Sequence, residues 1–158
     1  MIKFNSVFKG YPGTKDILQN ISFEIDSGEL VFVTGSSGAG KSTLLKLISA
    51  IESPSAGEII FDNQNLSDLR TGDMPYLRRK FGMIFQDHKL LFDRTCFENV
   101  ALPLAINDTT SVDISRRVRA ALNKVGLLEK EKLMPITLSG GEQQRLAIAR
   151  AIVSRPAI

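Results

Sequence analysis

The order of apolar and polar positions divides the chain into short strands and longer helical stretches. Ile2 to Phe8 (IKFNSVF) alternates apolar and polar residues, the mark of a half-buried strand. Ile21 to Asp26 does the same, with Ile21, Phe23 and Ile25 on one side, and Ser27 to Glu29 then turns the chain. Leu30 to Thr34 (LVFVT) is an unbroken apolar run, which predicts a strand buried on both faces. A Gly/Ser loop leads into Lys41 to Ile51, where Leu44, Leu45, Leu47, Ile48 and Ile51 mark the core face of a helix. Pro54 to Phe61 predicts a turn and a strand, Met74 to Lys80 a short helix, and Phe81 to Phe85 a further strand. Ile114, Val118, Ala121, Leu122 and Val125 recur at helical spacing. Leu146, Ala149, Ile152 and Val153 do so again in a last helix, entered through a glycine pair and closed by Pro156.

The early strands read as antiparallel, and the strand–loop–helix unit that follows reads as α/β. The 158 residues suit one domain with a real core, and no internal repeat, low-complexity tract or long linker divides them. Composition changes little in this picture: 43% hydrophobic and 23% charged residues are ordinary for a globular chain. No apolar run approaches the roughly 20 residues that span a bilayer, and the first residues carry no apolar secretory segment. The formal net charge of +3 is too small to argue for nucleic acid. The basic clusters at Leu77–Lys80 and Ser115–Arg119 read as solvated helix faces. Cys96 is the only cysteine, so it reads as a small apolar core residue rather than half of an internal disulfide.

One stretch does change the picture. Gly35 to Thr43 (GSSGAGKST) matches G-x-x-x-x-G-K-[ST], with Gly35, Gly40, Lys41 and Ser42 at the fixed places. A triphosphate presents dense negative charge and many acceptor oxygens. Small residues at Ser36, Ser37, Gly38 and Ala39 let the backbone wrap closely and aim several N–H groups inward. The helix beginning near Gly40 turns its positive end to the same point. Lys41 adds a full charge toward the β- and γ-phosphates, and the Ser42 hydroxyl is a hard oxygen suited to Mg²⁺. Such a pattern arises by accident in a chain of this length on the order of one time in a hundred or less. An apolar run before it and an amphipathic helix after it are the context the motif requires.

Further motifs give this loop a family. Leu138 to Arg145 (LSGGEQQR) resembles the signature motif of ABC-type ATPases, and Phe85 to Asp87 (FQD) resembles their Q-loop, with Gln86 lying 86 − 41 = 45 residues after Lys41. Tyr11, on the loop after the first strand, resembles the aromatic residue that stacks on adenine. Within the family the stretches Phe85 to Leu104, Ser37 to Ile48, Leu77 to His88 and Ala121 to Lys132 are most similar to ATP-binding proteins of cell division; lipoprotein-release and import ATPases share the layout.

The resemblance implies a P-loop core with an antiparallel β subdomain and a helical signature-motif subdomain. One ABC-type domain would cover 1–158, with the Q-loop and helical subdomain at about 85–138 and the signature motif and its helix at 138–158. It implies ATP and Mg²⁺ as ligands, Ser42 and Gln86 as metal contacts, and Lys41 and Gln86 as catalytic groups. It also implies a head-to-tail homodimer, in which Ser139, Gly140, Gly141 and Glu142 face the γ-phosphate held by the other subunit. Read without the family, Ser139 and Glu142 are an ordinary capping box. A membrane subunit would dock near Gln86 and hold the protein peripherally at the cytoplasmic face of a bacterial inner membrane. His88, the sole histidine, reads as a loop or partner-contact residue rather than a catalytic base. In the family, the strand after Arg155-Pro156-Ala157 carries the acidic residues that hold Mg²⁺ and polarise water. The chain is therefore expected to be C-terminally incomplete, with adenine, phosphate and signature contacts but without hydrolysis on its own. A binding module without catalysis is the competing reading for the chain alone.

Overall fold

The computed structural model describes residues 1–13, 16–106 and 110–158, and they form two compact units, 1–78 and 79–158. The first unit is built on a four-stranded antiparallel sheet. Its strands are β1 (Ile2–Lys9), β2 (Leu18–Ile25), β3 (Ala56–Phe61) and β4 (Gln64–Asn65), in the order β2-β1-β3-β4. Helix α1 (Lys41–Ile48) lies between β2 and β3 in the chain, and α2 (Met74–Arg78) closes the unit.

Simple alternation predicts that Ile2, Phe4, Ser6 and Phe8 share a face. Instead Ile2, Phe4 and Val7 are the buried residues of β1. A bulge at Ser6 (φ 47°) shifts the register against both β2 and β3, so the inward phase moves by one residue. The bulge brings the β1 backbone close to β3. A Cβ on Gly57 (φ 84°) would lie 2.2 Å from the Ser6 carbonyl oxygen, so only glycine fits there. Phe4 stacks on Phe23 across the β1–β2 pair, with ring centroids 4.5 Å apart.

Two predicted strands do not form. Leu30 to Thr34 has no ladder partner among the described residues, and Leu30 and Phe32 are 81% and 80% exposed. An apolar run becomes a two-faced buried strand only when neighbouring strands take up its N–H and C=O groups. Phe81 to Phe85 is likewise not a strand; its beginning meets the end of the chain, where Gly82 N–H donates to the Ile158 carbonyl (2.7 Å) and Ala157 N–H to that of Lys80 (2.8 Å).

The second unit is a three-helix packing of α3 (Cys96–Ala105), α4 (Ser111–Lys124) and α5 (Gly140–Ile152). Val100 and Leu104 of α3, Val118 and Leu122 of α4, and Leu146 and Ala149 of α5 share one core, which also takes in Leu90, Leu127 and Cys96. Helix α3 was not expected from the apolar spacing, and Pro103 lies inside it. Its start was nevertheless written locally. The Thr95 hydroxyl accepts from Glu98 N–H, and the Glu98 carboxylate accepts from Thr95 N–H, a complete capping box.

Candidate functional site

In the first unit, residues 35–39 form an exposed loop that turns through Ala39 N–H to the Ser36 carbonyl. Gly38 (φ 80°) and Gly40 (φ 88°) have left-handed backbones. At Gly40 a Cβ would also come 2.7 Å from Leu18 Cδ2, so the leucine would have to shift to admit a side chain. Gly40 is the N-cap of α1 and brings no side-chain acceptor, whereas Thr95, Thr110 and Ser139 cap α3, α4 and α5 with their own hydroxyls. The first N–H groups of α1 therefore keep their donor capacity for something outside the helix. Lys41 arches back over the loop, its ammonium donating to the carbonyls of Gly35 (2.7 Å) and Ser36 (2.6 Å). The Ser42 side chain is exposed and that of Thr43 is buried. Uncapped N–H groups, a lysine ammonium and an open glycine backbone are the donor set a polyphosphate needs. Among the described residues no group of three or more His, Cys, Asp and Glu stands ready to hold a metal. A cation here would take its oxygens from residues such as Ser42 and from phosphate.

Tyr11 lies on the turn after β1. Its hydroxyl donates to Glu52 Oε2 (2.7 Å), and the Lys9 ammonium sits 5.2 Å from its ring centroid. Glu52 also receives Lys46 of α1 (2.9 Å) and pairs with Lys9 (3.3 Å). Donation by Tyr11, then by Lys46, holds the Glu52 carboxyl down at about 2. Sequence reasoning found Tyr11 but missed Glu52, whose partners lie up to 43 residues away (52 − 9 = 43).

In the second unit, Gln86 is exposed at the head of a strained turn. His88 (φ 57°) and Lys89 (φ 46°) are consecutive left-handed residues, a conformation that is unfavourable for any residue with a Cβ. Arg150 of α5 holds both: its guanidinium donates to the His88 carbonyl (2.5 Å) and to the Lys89 carbonyl (2.7 Å), and burial pulls its pKa below the ordinary arginine value. His88 is thus a loop residue, with a buried Nδ1 that has no hydrogen-bond partner. The fully buried Asn99 ties down the chain that follows. Its Oδ1 accepts from Leu91 N–H, and its Nδ2 donates to the carbonyls of Leu91, Arg94 and Thr95. Neither Arg150 nor Asn99 was singled out from the sequence.

The entrance of α5 is a full capping box. Ser139 Oγ accepts from Glu142 N–H, and Glu142 Oε2 accepts from Ser139 N–H (3.0 Å). Lys130 also donates to Glu142 (2.5 Å), and this lysine, with the Ser139 bonds after it, lowers the Glu142 carboxyl to about 2. Gly140 and Gly141 are exposed. A Cβ at Gly140 would meet nothing within 4 Å, and one at Gly141 only the Arg145 side chain at 3.8 Å. The packing of this chain does not explain glycine at these two positions of the first helical turn, since a Cβ would fit at either.

The structure thus ties Tyr11 to the helix that follows the phosphate loop, and ties the Gln86 segment to the helix that follows Ser139. No described helix is long and apolar enough to cross a membrane.

The sequence profile of the ABC transporter family matches residues 18–158. The cell division ATP-binding protein FtsE of Escherichia coli K12 is 57% identical over 158 residues, covering 100% of this chain and 71% of that protein. FtsE of Haemophilus influenzae is 48% identical over 157 residues, covering 99% and 72%. The methionine import ATP-binding protein MetN of Histophilus somni is 46% identical over 141 residues, covering 89% of this chain and 41% of that protein. Among solved structures, a dimeric bacterial ABC transporter cassette superposes with a TM-score of 0.91 at 36% identity, over 99% of this chain and 71% of its own. A post-hydrolysis dimer of the same cassette bound to ADP and Pi gives 0.91 at 35% identity, over the same shares.

Proposed function

The chain belongs to the ABC transporter family, and on that footing we propose that it is the ATP-binding part of a membrane complex acting in bacterial cell division. The observation that carries the ATP reading is the uncapped start of α1 beneath the arched Lys41. Gly35 to Thr43 hold the phosphates through backbone N–H groups, and Lys41 neutralises the β- and γ-oxygens. Tyr11 stacks on the adenine. Mg²⁺, when bound, would screen the phosphate charge, with the Ser42 hydroxyl as a protein contact. Residues 1–158 form the N-terminal portion of one ATP-binding domain, with 85–138 and 138–158 in the roles the resemblance implies.

The entrance of α5 meets a second nucleotide. Ser139, Gly140, Gly141 and Glu142 serve the γ-phosphate of a head-to-tail partner subunit, and the unexplained room over Gly140 and Gly141 supports this. Closure of the dimer allows hydrolysis in the complete protein and drives a membrane partner of the FtsX type, which controls peptidoglycan hydrolysis. The protein then sits at the cytoplasmic face of the inner membrane. The likeness to MetN supports a second reading, an import ATPase; the lower identity ranks it behind. Identifying the membrane subunit that co-purifies decides between them.

Calorimetry tests the site. Lys41→Ala should weaken ATP binding by about 10–100-fold, the loss of one or more hydrogen bonds to a charged group. Ser139→Arg should leave ATP binding to the monomer within about twofold and abolish ATP-driven dimerisation. Unchanged affinity in a folded Lys41→Ala protein overturns the phosphate assignment. Loss of monomer binding in Ser139→Arg overturns the head-to-tail reading.

A further inference from the structure

Glu52 lies outside every motif, yet it is the hub of the polar network around Tyr11. It sits on the segment between α1 and β3, with a side chain only 21% exposed. It receives a hydroxyl from the turn after β1, an ammonium from the end of β1 and an ammonium from α1. Lys46 stands five residues after Lys41 on that helix (46 − 41 = 5), a rise of about 7.5 Å. The same helix that meets phosphate at its start therefore anchors, at its end, the carboxylate that holds the tyrosine.

We propose that Glu52 is a positioning residue for nucleotide recognition: by accepting the Tyr11 hydroxyl while held by Lys46, it fixes the tyrosine ring at a set distance from the phosphate loop. This rests on the reading of Tyr11 as the residue that stacks on the base. A phenol side chain on a surface turn otherwise rotates about two torsions, and stacking on a mobile ring costs the entropy of ordering it. The clamp meets that cost in the folded protein, before nucleotide arrives. Lys9 completes it, donating to the Ser53 carbonyl (2.8 Å) while lying against the ring. Because the carboxyl titrates at about 2, the clamp stays charged across the physiological range.

Two ligands separate this role from general structural support. ATP uses the base contact and the phosphate loop, whereas inorganic tripolyphosphate uses the loop alone. Removing Glu52 also removes a negative charge beside the site, which on electrostatic grounds strengthens the binding of any polyphosphate. A selective loss of ATP affinity must therefore come through the base.

The experiment is calorimetric titration of both ligands into the parent, Glu52→Ala, Tyr11→Phe, the double variant and Tyr11→Ala. Glu52→Ala should weaken ATP about 3–10-fold, a part of the full stacking contribution, and leave tripolyphosphate no weaker than in the parent. Tyr11→Phe, which lacks only the hydroxyl, should show the same selective loss, and adding Glu52→Ala to it should weaken ATP no further. Tyr11→Phe alone carries the test if Glu52→Ala does not fold. Equal loss of both ligands in Glu52→Ala overturns the proposal, as does an undiminished ATP effect in the Tyr11→Phe background. If Tyr11→Ala binds ATP like the parent, the base-stacking reading itself fails and the proposal falls with it. If Tyr11→Ala weakens ATP while Glu52→Ala and Tyr11→Phe do not, the clamp alone is refuted.

Discussion

Replacing Asn99 tests how the segment after Gln86 is held. The side chain is 0% exposed; its Oδ1 accepts from Leu91 N–H (2.8 Å), and its two Nδ2 hydrogens are shared among the carbonyls of Leu91, Arg94 and Thr95. Two of these carbonyls keep another donor in Asn99→Ala: Arg94 N–H reaches the Leu91 oxygen and the residue-99 N–H reaches the Thr95 oxygen. What is orphaned is the Leu91 N–H and the Arg94 carbonyl. Each lost hydrogen bond costs about 0.5–1.5 kcal/mol, so the expected destabilisation is about 1–3 kcal/mol. For a chain of this size that lowers Tm by about 2–12 °C. Asn99→Asp sharpens the test. It keeps an acceptor for Leu91 N–H but, when ionised, turns a negative charge toward three carbonyl oxygens. Burial and those oxygens raise its folded pKa above the unfolded value, so its deficit is present at high pH and shrinks as pH falls through the raised value, where the neutral acid regains an O–H donor. Thermal unfolding followed by circular dichroism, from about pH 7 to about pH 4.5, should show the Asn99→Asp curve approaching the parent's. An Asn99→Ala protein within about 0.5 kcal/mol of the parent, or an Asn99→Asp deficit that does not change with pH, would refute the reasoning.

Arg150→Lys should destabilise the turn at His88 and Lys89 by about 2 kcal/mol, because one ammonium cannot replace two charge-assisted bonds in fork geometry; hydrogen exchange should speed up at 86–91 while the amides of α5 stay protected. In the same background, Lys89→Gly should recover about 1 kcal/mol by removing the left-handed penalty, read from urea midpoints. Acid stability should depend on Glu52 and Glu142, whose carboxyls ordinarily titrate at 4.5 and here titrate at about 2. Their contribution is complete above the ordinary value and is lost as pH falls toward about 2, so Tm of Glu142→Gln should fall less steeply than the parent's across that window.

Much of the candidate site was legible because it is written locally. The phosphate loop needs small residues, glycines with left-handed backbones at 38 and 40, and a lysine one residue on, all within one turn of chain. The capping box at Ser139 and Glu142 spans three residues, and the one at Thr95 and Glu98 could have announced α3 in the same way. Four features were decided only by tertiary structure. The inward phase of β1 depends on a bulge that Gly57 of β3 makes room for. The orientation of Tyr11 depends on Glu52, 41 residues away. The turn after Gln86 depends on Arg150, 61 and 62 residues away from the two carbonyls it holds. The apolar run Leu30 to Thr34 has the composition of a buried strand and is exposed, because composition supplies the side chains of a strand but not its hydrogen-bond partners. Caps and phosphate loops are satisfied by groups a few bonds apart, so their residue pattern determines them. Bulges, clamps and ladders are satisfied by groups tens of residues away, and only the closed fold determines which groups those are.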